Sequence, residues 1–221
     1  MKHYLEEIAG TFLLVLFGTG AGIVDQQCGG VVTHAGVSLT WGLSVALMIY
    51  LFGKRSGAHI NPAVSIAFTL AGRFGAKKLT GYVISQIAGA ILASFVLRLL
   101  FPTNKLLGAT MPSGSEMQSF ILELVLTFLL MFVVLVFAHG SKETGRFAAF
   151  GIGAVVGLEA FFAGPVCGAS MNPARSIGPA IISGHLEHLW IYIIAPITGA
   201  ALSMFVWKYL RRSTKLGRSL I

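Results

Sequence analysis

The chain has 221 residues, of which 55% are hydrophobic and only 11% charged, and its mean hydropathy is +0.81. Soluble domains carry about 25% charged residues, so this composition lacks the polar surface that water requires and points to the bilayer as solvent. The formal charge of +8 would suggest nucleic acid in a soluble protein; in so apolar a chain the placement of the cations matters more, and no nucleic-acid partner is expected.

In chain order, the first apolar run, Tyr4–Val24, is too long for a signal-peptide core and has no A-x-A site after it, so it reads as a retained span. Gly36–Phe52, Leu79–Phe101, Met117–Ala138, Phe147–Gly164 and Leu189–Leu210 follow. Each of the six can cross a core ~30 Å thick. Pro62–Gly72 and Pro173–Ser183 are apolar but half-length, which suits re-entrant half-helices. The expected fold class is an all-α membrane protein with six transmembrane helices plus two re-entrant half-helices, residues 1–221 forming one transmembrane domain.

Lysine and arginine set the expected orientation. Lys2, Lys54, Arg55, Arg73, Lys77, Lys78, Lys142, Arg146, Lys208, Arg211, Arg212, Lys215 and Arg218 fall on one side, and only Arg98 and Lys105 flank the other. The positive-inside rule puts both termini in the cytoplasm of a multi-pass protein of the cell (plasma or inner) membrane. The basic tail from Lys208 flanks a membrane helix within reach of lipid headgroups. Cys28 and Cys167 give neither a disulfide framework nor metal spacing. His185, Glu187 and His188 read as solvated loop residues, and no metal or cofactor is expected.

The two halves repeat. Glu7-Ile8-Ala9-Gly10-Thr11-Phe12 matches Glu123-Leu124-Val125-Leu126-Thr127-Phe128, and Gly57-Ala58-His59-Ile60-Asn61-Pro62-Ala63 matches Gly168-Ala169-Ser170-Met171-Asn172-Pro173-Ala174. Tyr82–Ala90 likewise matches Tyr192–Ala200, so repeat 1 covers about 1–105 and repeat 2 about 116–212. Three spans per repeat is an odd number, so the halves cross the membrane in opposite senses. Inverted repeats place their functional site near the midplane, on interrupted helices. The Asn-Pro-Ala triplets supply those interruptions, because Asn is a good N-cap and Pro is tolerated at the first helical position.

Two half-helices meeting by their N-termini aim positive dipole ends at the midplane, which repels a cation or hydronium but not a neutral solute. Asn61 and Asn172 are then placed to donate to a passing oxygen. The non-helical stretches before them, Gly57, Ala58, His59 and Ile60 with Gly168, Ala169, Ser170 and Met171, cannot leave carbonyls in lipid and are expected to line a wet path as acceptors. Arg175 is placed inside the outer half of the membrane, where a charge implies function. Glu7 and Glu123 occupy equivalent positions and read as acceptors for N–H groups of the re-entrant stretches, against proton relays in a coupled transporter. Glu159 reads as a loop anchor, against a pore contact. Gly89 and Gly199 read as close helix contacts.

The paired Asn-Pro-Ala boxes, the glutamates of the first and fourth spans, and Gln86 with Gly89 resemble the major intrinsic protein family, the aquaporins and glycerol facilitators, over essentially the whole chain. The resemblance implies a right-handed bundle assembled as a homotetramer with one pore per subunit. It implies an outer selectivity filter of Trp41, Ala160, Ala169 and Arg175. Water-selective members typically carry His at the second of these positions, so Ala160 implies a wider, more apolar constriction. Trp against two small residues resembles the nodulin-like intrinsic branch and its bacterial relatives, whose cargo includes water, glycerol and uncharged boric, arsenous or silicic acid. Ser176 pulls the other way, since glycerol facilitators usually have Asp there. The implied function is a passive channel for water and small uncharged solutes that excludes ions and protons. A strictly water-selective pore and a proton-coupled transporter are the alternatives. No nucleophile–base pair or H-E-x-x-H set points to an enzyme.

Overall fold

In a bilayer a spanning backbone must satisfy its own N–H and C=O groups, and the long apolar runs do so as helices. The computed structural model describes residues 1–139 and 147–218, with side chains as far as Arg211. Lys142 and Arg146 lie outside the described residues, as do the side chains of Arg212, Lys215 and Arg218. The helices are α1 (Lys2–Gln27), α2 (Thr33–Phe52), α3 (Pro62–Leu70), α4 (Ala76–Leu100), α5 (Glu116–His139), α6 (Ala148–Cys167), α7 (Pro173–Ser183) and α8 (Leu189–Arg218). Six are long and apolar enough to cross a membrane; α3 and α7 are the short pair. Every apolar run read from the sequence lies within or beside one of these helices. The ends differ by a few residues, because spans continue into the headgroup layer, most visibly in α8.

α1 packs on α2 and α4, and α5 packs on α6 and α8. The halves join where α2 meets α6, and each half-helix crosses over, α3 packing on α8 and α7 on α4. The same close approach occurs twice. A Cβ at Gly89 would run into the Ile8 carbonyl oxygen and lie 3.0 Å from the Phe12 nitrogen; at Gly199 it would meet the Leu124 oxygen and lie 3.0 Å from the Phe128 nitrogen. At the α2–α6 crossing, a Cβ at Gly42 would sit 2.7 Å from the Gly153 oxygen, and one at Gly153 2.5 Å from the Gly42 oxygen. Gly42 and Gly153 are 111 residues apart, the separation that also relates Asn61 to Asn172.

The outward face of the bundle is apolar. Leu39, Leu43 and Leu47 form an exposed stripe along α2, and Ile121, Val125 and Leu129 form one along α5. Surfaces of this kind suit lipid or a neighbouring subunit, and a water-soluble monomer would not expose them.

Candidate functional site

The centre of the site is built by two helix starts. Asn61 and Asn172 are extended N-cap residues, followed by Pro62 and Pro173, which have no N–H to satisfy. The Asn61 side-chain oxygen accepts from the Ala63 N–H at 2.9 Å. That of Asn172 accepts from the Ala174 and Arg175 N–H groups at 3.1 and 3.4 Å. Capping fixes which way each amide nitrogen points. Asn61 Nδ2 donates to the Met171 carbonyl at 2.8 Å, and Asn172 Nδ2 donates to the Ile60 carbonyl at 2.9 Å. The two boxes thus clasp one another reciprocally, and each amide carries a second N–H beyond the one so engaged.

The stretches that lead into the boxes are held in an unusual shape. Ala58, Ile60, Ala169 and Met171 all have positive φ, between 40° and 53°. For residues with a Cβ this costs roughly 1–2 kcal/mol each, so something must hold it. Two buried carboxylates do. Glu7 accepts from the N–H groups of His59 at 3.0 Å and Ile60 at 2.7 Å, and Glu123 accepts from those of Ser170 and Met171, both at 2.7 Å. Ser56 Oγ and Gln86 Nε2 also donate to Glu7, at 2.7 and 2.8 Å. Both carboxylates are fully buried, so these bonds form where no water competes.

A cavity of about 870 Å³ runs from Lys54 and Arg55 at the basic end, past both asparagines, to Trp41 and Arg175. Val45, Ile49, Leu130, Val134, Ile152 and Val156 make one wall apolar. Gly57, Ala58, His59, Ile60, Asn61, Ser170, Met171 and Asn172 make the other polar. His59 does two things: it lines this cavity, and its ring packs on Phe68, Phe74 and Tyr82 while Nδ1 pairs with Ser65 Oγ at 3.0 Å.

Trp41 and Arg175 come together at the far end, with the guanidinium carbon 4.7 Å from the indole centroid. Such a cation–π contact, desolvated, is worth about 2 kcal/mol. Arg175 Nη1 donates to the Gly108 carbonyl at 2.9 Å. Ala160 and Ala169 are buried, at 6% and 7% exposure, and neither they nor Gly168 are among the residues that line the cavity. Ala160 lies one turn beyond the lining residue Val156, and Ala169 immediately precedes the lining residue Ser170.

Sequence reasoning missed what supports this end. The loop after α4 folds into the mouth, with Gly108 at φ 68°, and Thr110 Oγ1 donates to Ser176 Oγ at 2.9 Å. A Cβ at Gly108 would strike Thr19, and one at Gly18 would overlap the Trp41 ring. The available signal was weak: Gly18 sits in the interior of a span, where glycine is unfavourable unless something needs the room. Glu159 anchors no loop, since neither of its oxygens has a partner among the described residues. The N–H groups of Ser170 and Met171 are already taken by Glu123. His188 pairs with Glu116 at 2.7 Å while His185 bonds Ser183, and among the described residues no group of three or more His, Cys, Asp or Glu could hold a metal ion. Both cysteines are free, Cys28 exposed and Cys167 buried.

The profile described as "Major intrinsic protein" matches residues 1–207. Aquaporin NIP1-1 of Zea mays is 42% identical over 216 residues, covering 97% of this chain and 77% of the relative. Nodulin-26 of Glycine max is 39% identical over 216 residues, covering 97% of this chain and 80% of its own length. Among solved structures, the aquaglyceroporin from Plasmodium falciparum has a TM-score of 0.82 at 27% identity, covering 93% of this chain and 94% of that one.

Proposed function

The chain belongs to the major intrinsic protein family and is a membrane channel for water and small solutes, not an enzyme; from that premise, we propose that its cargo includes small uncharged hydroxylated solutes, glycerol and the boric, arsenous and silicic acids among them. The observation that carries this is the two-faced cavity, apolar on one wall and polar on the other, with Trp41 and Arg175 in contact at its far end. A glycerol-like solute can lay its carbons on Val45, Ile152 and Val156 while its hydroxyls meet Asn61, Asn172 and Arg175. The small residues at 160 and 169, which do not reach the cavity lining, leave room for it beside Trp41 and Arg175. The similar solved protein from Plasmodium falciparum is an aquaglyceroporin, a name that fits that cargo.

The residues divide the work. The N-termini of α3 and α7 aim partial positive charge at the midplane, and Arg175 adds a full charge, so a cation meets repulsion where it has also lost water. The second N–H of Asn61 and of Asn172 donates to a solute oxygen. A water that accepts from both must point its own hydrogens outward, to the carbonyls of the re-entrant stretches, and this opposed orientation breaks a proton relay. Gly57, Ala58, His59 and Ser170, which line the cavity, supply that acceptor ladder, and Gly168 extends it from behind the lining. Glu7 and Glu123 hold it in shape and carry no protons.

The working unit is one channel domain over 1–221, formed by halves 1–105 and 116–212. It sits in the cell membrane with both termini and the Lys54–Arg55 mouth in the cytoplasm. Four copies assemble, each with its own pore, and the exposed stripes of α2 and α5 are shared between lipid and neighbours. Stopped-flow light scattering on proteoliposomes tests the cargo: glycerol permeability should exceed that of empty liposomes. Water flux with glycerol at the empty-liposome level would mean a strictly water-selective pore, and flux that requires a proton gradient would mean a coupled transporter.

A further inference from the structure

The pore as described leaves one buried carboxyl unused. Glu159 on α6 is 7% exposed, and both of its oxygens are sealed without a protein partner among the described residues. Folded proteins rarely leave such a group unmatched, because burial strips its water and supplies nothing in return. Nor does packing ask for a carboxyl here. At the 111-residue separation that relates Asn61 to Asn172 and Gly42 to Gly153, the counterpart of Glu159 is Met48, a fully buried thioether. One half fills the position with an apolar side chain; the other puts an unpaired acid there.

Glu159 is not itself among the residues that line the cavity, but helical phase puts it on the lining face of α6. Ala148, Ala149, Ile152 and Val156 are the α6 residues that line the cavity. At about 100° per residue, Glu159 falls about 20° from Ile152, within the arc of these four, and Ala160 falls about 20° beyond Ala149, at the edge of that arc. α2 fixes its height: Gly42 lies against Gly157 and His34 bonds the Phe161 carbonyl, so Glu159 stands between those contacts, a turn beyond Trp41 toward the mouth. The chemistry of that mouth is one-sided. Arg175 and the two asparagine amides only donate toward cargo, and the Gly108 carbonyl is engaged by Arg175. A solute with several hydroxyls arrives with several O–H donors, for which the acceptors so far assigned are the re-entrant carbonyls on the opposite wall.

We propose that Glu159 is a specificity-determining residue, its carboxyl turning to accept an O–H from an uncharged polyol or hydroxy acid beside the Trp41–Arg175 contact. A carboxyl has acceptor capacity in either protonation form. The proposal rests on hydroxylated solutes being cargo, and the wild-type arm of the test isolates that premise. Water and glycerol permeabilities are measured in proteoliposomes for wild type, Glu159→Met and Glu159→Gln. Met, the residue of the equivalent position, should lower the glycerol-to-water ratio roughly tenfold, the size of one lost hydrogen bond. Gln keeps one acceptor oxygen and should fall between Met and wild type. An unchanged ratio in Glu159→Met overturns the proposal, and so does joint loss of both fluxes in the two variants, which marks a structural group. Wild type without glycerol flux fails the cargo premise instead, and the proposal with it.

Discussion

Glu7 and Glu123 look interchangeable in the repeat, yet replacing each by glutamine should have unequal consequences. Glutamine keeps one acceptor oxygen and turns the other into an N–H₂ group that faces the donor its predecessor served. In Glu7→Gln the new amide has a neighbour that can adapt without breaking other bonds. Ser56 Oγ donates to the carboxylate oxygen that the His59 N–H also serves, and a hydroxyl can turn to accept from an N–H₂ placed there. Gln86 keeps its bonds to the remaining oxygen and to Ser65, and only the His59 N–H is orphaned, at about 1–3 kcal/mol. In repeat 2 Pro196 stands where Gln86 does, and Cys167, a weaker donor and acceptor, stands where Ser56 does. Glu123→Gln therefore orphans a loop N–H and its own amide donor together, about 2–6 kcal/mol by the same count. The difference of roughly 1–3 kcal/mol corresponds to a midpoint lower by about 2–12 °C in a chain of this size. Thermal unfolding of the detergent-solubilised variants, followed by size-exclusion fluorescence, measures it. A Glu7→Gln variant as unstable as Glu123→Gln, or more so, would refute this account of the two anchors.

Other consequences can be checked alongside. Ala160→His combined with Trp41→Phe should lower glycerol flux more than water flux in the stopped-flow assay; equal loss of both would mean the filter lies elsewhere. Gly18→Ala places a methyl in the Trp41 ring, and displacing the indole from Arg175 should change the glycerol-to-water ratio while the protein still folds. Gly199→Ala drives a Cβ into the Leu124 carbonyl, where no side chain can yield, so it should destabilise by about 1–3 kcal/mol and show as a lower unfolding midpoint. Gly89→Ala should do the same against Ile8, and a clear difference between the two would break the equivalence of the halves at this contact.

Much of this protein was legible as a string. Helices in a membrane are dictated by local apolar length, since the backbone has no other way to satisfy itself there, and so the spans and both half-helices follow from composition and proline placement alone. The inverted repeat, the capping asparagines and the odd position of Arg175 are likewise local or self-comparing signals. What the linear order could not contain is which groups meet across the bundle. The crossed bonds from Asn61 to Met171 and Asn172 to Ile60, the Gly108 carbonyl on Arg175 and the space that Gly18 leaves for Trp41 join residues far apart in the chain. Glu159 shows the limit most clearly. A carboxylate inside a span looks like an anchor until the tertiary structure assigns the nearby N–H groups to Glu123, because hydrogen-bond partners are settled by three-dimensional competition for donors, and the sequence names only the competitors.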